Sequence, residues 1–430
     1  MKRKGRSTLS DPAAEEAEQV PLGRNRDFKR LWLSQALSAT GSRVSFLVYP
    51  LLILALFESV AAASAVAAVC ALSEVVARLP AGVLLDRLQR RSVMLWCETA
   101  RILAMVVAIV TIATGSATLW LIMLVAAVDA GGAALFVSAE RTALRHIVPM
   151  EQIQTAAARN EARTFTAELL GPALGGVLLN IARVAPFIFN AFAYSLSFLS
   201  VLAIRKPLQS PREQDGEGVW ASFLIGAQFL FHQPFLRALA AIGPLLNMAF
   251  TGTMFVVVVV LNEAGVPSYG VGVCLAVVAS GGILGAVLAP MLQRKLPPRR
   301  LVVILSWTSA SMVALCIVLP AGYWMVVPLP ILVLFAPPTT SILFGHQTAV
   351  TPDHLHGRVV AAMGLLISGL NPFAPLLAGL LLETWNHAVA FAAFTFIFVI
   401  ASIIVTFSKG VRMLSAAKFA PGIVERTSHP

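Results

Sequence analysis

Residues 82–91 read Gly82-Val83-Leu84-Leu85-Asp86-Arg87-Leu88-Gln89-Arg90-Arg91. Four charges crowd into positions 86–91, and the flanking sequence is apolar over residues 61–85 and 93–113. A short basic loop between two runs of about 20 apolar residues reads as a membrane hairpin. The pattern continues in both directions. Apolar runs also fall at 31–57, 119–139, 160–181, 186–204, 236–261, 269–292, 301–320, 325–344, 359–382 and 388–407, twelve in all. Of 430 residues, 58% are hydrophobic and only 12% charged. Soluble domains average about 25% charged, so the composition argues against an ordinary soluble enzyme.

The basic residues are unevenly placed. With the N-terminus inside and the runs alternating, 25 of the 32 Lys and Arg residues fall in the inner segments, and the outer loops hold only Arg183. This positive-inside bias predicts both termini in the cytoplasm of a plasma (inner) membrane. It also accounts for the net charge of +11 without a nucleic-acid partner. Cys70, Cys97, Cys274 and Cys316 all lie inside apolar runs, as small buried hydrophobes do. His346, His354 and His356 share one inner loop and read as solvated, not as a metal site. No phosphate-binding loop, zinc-protease, serine-hydrolase or dinucleotide fingerprint occurs. No enzyme activity and no cofactor are therefore expected.

The chain repeats itself. Leu88-Gln89-Arg90-Arg91 returns as Leu292-Gln293-Arg294-Lys295, offset by 204, and Gly171-Pro172-Ala173-Leu174-Gly175-Gly176 returns as Ala374-Pro375-Leu376-Leu377-Ala378-Gly379, offset by 203. Val148-Pro149 matches Thr351-Pro352, again at 203. Three matches at nearly one offset predict an all-α integral membrane protein with twelve transmembrane helices in two six-helix halves. The expected organisation is a cytoplasmic tail (1–24), a first half (25–204), a linker (205–235), a second half (236–407) and a second tail (408–430). Within the linker, the amphipathic run Val219–Phe231 is expected on the membrane surface. Paired halves with a site between them are the architecture of secondary transporters.

The 82–91 loop resembles the G-x-x-x-D-R-x-G-R-[RK] signature of the major facilitator superfamily. Gly82, Asp86, Arg87, Arg90 and Arg91 match, and Gln89 stands where the family prefers Gly. The resemblance implies a cytoplasmic gate in which Asp86 meets the start of the eleventh helix near Arg358. A carboxylate suits such a place because a helix N-terminus is electropositive. In the fifth helix, Gly171, Pro172, Gly175 and Gly176 are similar to the G-P-x-x-G-G end of the drug–proton antiporter signature. Proline bends a helix and glycine permits close packing, so this segment is expected to pivot and seal beside the cavity. The wider resemblance, over residues 25–407, is to the branch of enterobactin-type siderophore exporters and macrolide efflux proteins. It is carried by Asn25-Arg26-Asp27-Phe28-Lys29-Arg30-Leu31-Trp32, Glu98-Thr99-Ala100-Arg101 and Gly357-Arg358-Val359. One departure is Val128, where drug exporters often carry Arg in the fourth helix. The resemblance implies a monomeric secondary transporter that exports a small, partly lipophilic compound, drug or siderophore-like, in exchange for protons by alternating access. A lipid or lysolipid flippase and a small-molecule importer share the same fold.

A charge inside a span costs roughly 2.5–3.5 kcal/mol on insertion scales, so each needs a reason. The candidates are Arg43, Glu74, Arg78, Glu98, Arg101, Asp129, Arg163 and Glu168, all in the first half; the second half offers Asn247, Asn371 and many Phe. Glu74 and Arg78 are four residues apart and Glu98 and Arg101 three apart, the spacings of ion pairs along one helix. Asp129 has no basic neighbour on its own helix, and Glu168 sits one turn before the Gly-Pro bend. Asp129, Glu168 and Glu74 are the proton-coupling candidates. Arg43 is free to pair with either of the first two.

Overall fold

The structure is a computed structural model that describes residues 25–148, 152–204, 208 and 219–414. Twelve helical spans are long and apolar enough to cross a membrane. In the first half they are α1 (Arg26–Phe57), α2 (Val60–Arg87), α3 (Arg90–Ala113), α4 (Leu119–Ile147), α5 (Ile153–Ile181) and α6 (Ala185–Leu202). After α7 (Val219–His232), the second half continues with α8 (Pro234–Glu263), α9 (Ser268–Lys295) and α10 (Pro298–Val318). Its tenth span is assembled from a 3₁₀ turn (Tyr323–Val326), α11 (Leu329–Leu334) and α12 (Ala336–Val350). The eleventh is α13 (Asp353–Ser368) plus α14 (Phe373–Thr384), the twelfth is α15 (His387–Phe407), and α16 (Lys409–Met413) follows.

The boundaries have local causes. Asn25 caps α1 by accepting from the Phe28 N–H, and Ser59 caps α2 through the Ala62 N–H, satisfying donors that a helix start leaves orphaned. Two spans expected to be continuous are interrupted. Proline cannot supply an N–H and disfavours helix in the residue before it. Pro328, Pro337 and Pro338 segment the tenth span, and Gly369-Leu370-Asn371-Pro372 interrupts the eleventh.

The first and last described residues, Asn25 and Leu414, fall at one end of the bundle, as twelve alternating spans require; this is here the terminal end, and the opposite end is the distal end. The apolar core has an uneven distribution between them. Toward the distal end one cluster runs through both halves, from Val44–Leu54 and Ala63 to Met254–Leu261, Val271 and Phe394. Toward the terminal end it divides. Phe28, Leu85, Met94, Phe136 and Ile204 pack within the first half, while Leu236, Val302, Val359, Met363 and Val405 pack within the second. The halves thus join distally and part toward the terminal end, leaving a wedge between them.

The distal join is made by backbone. A Cβ on Gly176 of α5 would overlap the Ser268 carbonyl at the start of α9, and one on Gly272 of α9 would overlap the Pro172 carbonyl. Gly379 of α14 packs on the Ser64 side chain of α2. Only residues without side chains let two helices approach this closely. The linker run forms α7, which packs on α13 with Gly226 against the Arg358 backbone and Leu230 fully buried, while Leu224 and Phe231 stay exposed.

Candidate functional site

The charges of the first half form three groups, set apart by exposure. The innermost is a cage around Asp129. Its Oδ1 accepts from Arg101 Nε at 2.9 Å and from the Tyr194 hydroxyl at 3.0 Å. Its Oδ2 accepts from Ser45 at 2.7 Å and from the Tyr49 hydroxyl at 3.2 Å. The Arg101 guanidinium also donates to Ser38 and Ser42 of α1 and stacks 3.7 Å from the centre of the Tyr194 ring. Glu98 lies 3.7 Å from Arg101 and accepts from Ser197 at 2.7 Å. Arg101 and Glu98 are fully buried and Asp129 nearly so. A buried ion pair persists only when its geometry and hydrogen bonds offset desolvation, and here three helices, α1, α3 and α6, supply donors to the carboxylates. Val128 stands one residue before Asp129 in α4, and the guanidinium that reaches Asp129 comes from Arg101 of α3.

The second group is half-exposed. Arg43 of α1 pairs with Glu168 of α5 at 2.7 Å, with side chains 42% and 37% exposed. This settles the choice that sequence left open: Arg43 takes Glu168, not Asp129. The pair is built into the bend, because Gly171 packs directly on Arg43 and Gly175 on Val44. Arg78 bonds Glu74 at 3.2 Å along α2 and reaches across the halves to the Ser368 hydroxyl at 3.0 Å.

The third group was not anticipated. Glu140 of α4 is buried 3.8 Å from Arg163 of α5 and accepts from Asn160 at 3.2 Å. Arg163 is thus a cross-link between α4 and α5 near the terminal end. The cage hydroxyls were missed as well. Their signal is spacing: Ser38, Ser42, Ser45 and Tyr49 lie along one face of α1, and Asn190, Tyr194 and Ser197 along one face of α6.

Of the gate residues, the side chains of Gly82, Asp86 and Arg87 lie outside the described residues. Arg90 donates to the carbonyls of Thr142 and Leu208, and Arg91 to that of Leu202, bracing the start of α3 within its own half. Arg358 begins the buried face of α13 beneath Gly226. The tail 1–24, linker residues 205–207 and 209–218, and residues 415–430 lie outside the described residues, as does the His354 side chain. His346 packs edge-on to Phe235 with ring centres 4.4 Å apart.

Comparisons with known proteins agree with this architecture. The chain is 26% identical over 412 residues to the multidrug efflux pump Tap of Mycolicibacterium fortuitum, covering 90% of this chain and 97% of that protein. It is 28% identical over 374 residues to Tap of Mycobacterium tuberculosis, covering 83% and 87%. Among solved structures, a bacterial homolog of the human lysosomal transporter Spinster, inward-facing and unoccupied, superposes with TM-score 0.69 at 15% identity, covering 92% of this chain and 98% of that one. A POT family transporter in complex with 5-aminolevulinic acid gives TM-score 0.74 at 13% identity, with 91% and 98% covered. At those identities the structures speak to fold alone. The sequence profile of the Major Facilitator Superfamily matches residues 31–371, from the first span into the eleventh. This multi-pass membrane transporter belongs to the Major Facilitator Superfamily.

Proposed function

We propose that the protein exports a small, partly lipophilic compound in exchange for protons, by alternating access of the wedge between its halves. The similarity to multidrug efflux pumps supports export. The positive-inside bias supports assigning the terminal end to the cytoplasm, which makes the wedge an inward-facing cavity. The observation that carries proton coupling is the Arg43–Glu168 pair, half-exposed in the wedge and packed against the bend that joins the halves.

Among the three carboxylates offered as coupling groups, geometry favours Glu168. Asp129 already accepts from four donors, so a proton there would have to displace one of them inside a closed core. Its fitting role is a structural anchor for α1, α3, α4 and α6. Among the described residues Glu168 accepts only from Arg43, and that pair is half-exposed. Proton binding at Glu168 removes the charge that holds Arg43. The helix contact between α1 and α5 then loses its ionic tie at Gly171, one turn from the α5–α9 seal. Substrate entering from the cytoplasm meets the carboxylate and favours the deprotonated state, and the outward-facing state reloads it. Glu74, tied to Arg78, which itself donates to Ser368 across the halves, reports whether the second half is engaged. The flippase alternative needs a lateral opening, and the α5–α9 and α2–α14 seams are both closed at their distal ends.

The test is proton release from inside-out vesicles carrying an imposed pH gradient, challenged with siderophores, macrolides and lipophilic cations. A compound that collapses the gradient with wild type, but not with Glu168→Gln protein of unchanged thermal stability, supports the reading. Wild-type proton release by Glu168→Gln removes Glu168 as the coupling group. Labelled-compound transport without any proton movement overturns proton exchange itself.

A further inference from the structure

The second half lacks intramembrane charge, yet it brings polar groups together where its eleventh span is interrupted. Between α13 and α14 the chain passes through tight turns: the Asn371 N–H bonds the Ser368 carbonyl at 3.0 Å and the Phe373 N–H bonds that of Leu370 at 3.1 Å. Pro372 donates nothing. Two residues of α8 set the neighbouring surface. Gly243 packs against Ile367 of α13, and one turn further on Asn247 faces Asn371. The repeat of this register fixes the two amides beside each other, with Asn371 Nδ2 donating to Asn247 Oδ1 at 3.3 Å. That single bond uses one donor and one acceptor of a pair holding several more. Asn371 Oδ1 is buried and unbonded among the described groups. Ser368, at the end of α13, is the residue that Arg78 reaches from the first half. The break therefore sits where the two halves address each other, and not on the lipid side.

Close helix packing alone does not require two amides here; leucine at both positions would fill the same interface without unbonded polar atoms. A buried acceptor left open is costly unless something else meets it. We propose that Asn247, Asn371 and Ser368 form a substrate subsite for an uncharged hydrogen-bonding group, a hydroxyl, amide or carbonyl, carried by the exported compound. This inference rests on the export reading and assigns the polar half of substrate recognition to the second half of the protein. The charged half of the substrate is left to the Glu74–Arg78 and Arg43–Glu168 pairs across the wedge. A site built to hydrogen-bond a substrate discriminates strongly against an analogue lacking the group. The subsite thus separates compounds by their hydroxyls and carbonyls even when charge and lipophilicity are matched.

The experiment uses the full chain in proteoliposomes and two probes: erythromycin, a cation rich in hydroxyl and carbonyl groups, and tetraphenylphosphonium, a lipophilic cation with neither. The double variant Asn247→Ala/Asn371→Ala is expected to weaken erythromycin binding about tenfold or more, the scale of one or two lost hydrogen bonds, and to leave tetraphenylphosphonium within about twofold, well inside the measurable difference. Asn247→Ser/Asn371→Ser keeps hydroxyls in place and is expected to recover part of the erythromycin affinity at equal thermal stability. Equal loss for both probes, or no loss for either, overturns the subsite while leaving export standing. If wild type binds neither probe, the export reading fails first and the subsite falls with it.

Discussion

The two halves share a helix plan but use their interiors differently. Among the described residues the first half buries Glu98, Arg101, Asp129, Glu140 and Arg163, each held against a partner of opposite charge, and Arg90, held by carbonyls. The second half holds its helices with apolar and backbone contacts: Phe391, Phe394 and Phe398 are buried, and Gly281 and Gly285 of α9 lie against the carbonyls of Pro330 and Leu334. Charge in a low-dielectric interior is strong but brittle, because removing one partner strands the other. Apolar packing is graded, and each side chain adds or subtracts a little. Under the proposed function, rigidity and coupling belong to the first half and adaptable contact to the second.

Four substitutions probe that division, taken from the largest expected loss of stability to the smallest. Arg101→Met leaves Asp129 and Glu98 buried without their cation. It is expected to cost about 3–5 kcal/mol, read as a collapse of the thermal unfolding temperature in detergent. The triple change Arg101→Met, Asp129→Asn, Glu98→Gln removes every stranded charge and is expected to regain most of that loss. If the single variant is as stable as wild type, the cage is not what holds the first half together. Gly176→Val drives a side chain into the Ser268 carbonyl, at about 1–3 kcal/mol for overpacking. Spin-label distances between the distal ends of α5 and α9 should lengthen; unchanged distances would sink the seal. Glu168→Gln breaks a half-exposed pair whose worth is about 0–1 kcal/mol. Stability should barely move while substrate-driven proton release disappears. At the small end, Asn371→Leu trades one interhelical hydrogen bond for apolar contact, at roughly 0.6 kcal/mol by the average for membrane proteins. A cost comparable to that of Arg101→Met would show that the second half also depends on a polar keystone.

Much of the fold was readable along the chain because bilayer spanning is a local requirement. Twenty apolar residues and a basic loop announce themselves without reference to anything distant, and the twelve runs all became spans. The interruptions at Pro328, Pro337-Pro338 and Gly369–Pro372 were visible as residue types but not as breaks. Membrane helices tolerate proline when neighbours compensate, and only the packed structure shows where they do not. The site divides along the same line. Glu74–Arg78 and Glu98–Arg101 follow from helix spacing. Arg43–Glu168 and Arg101–Asp129 depend on how α1, α3, α4 and α5 sit against one another, which no spacing encodes. Asp129 looked solitary because its cation arrives from another helix, and Glu140 was passed over because it lies close to the basic end of its span.

The Asp129 cage also has a bearing on how such a protein changes over generations. Every contact in it is shared: Arg101 serves Asp129, Glu98, Ser38 and Ser42, while Asp129 serves Arg101, Tyr194, Ser45 and Tyr49. A one-step replacement of either charged member leaves a vacancy that no neighbour fills, so descent through single substitutions meets a fitness valley on every side. The lining of the second half carries no such debt of mutual dependence. New compound preferences can accumulate there one residue at a time while the inherited engine stays fixed.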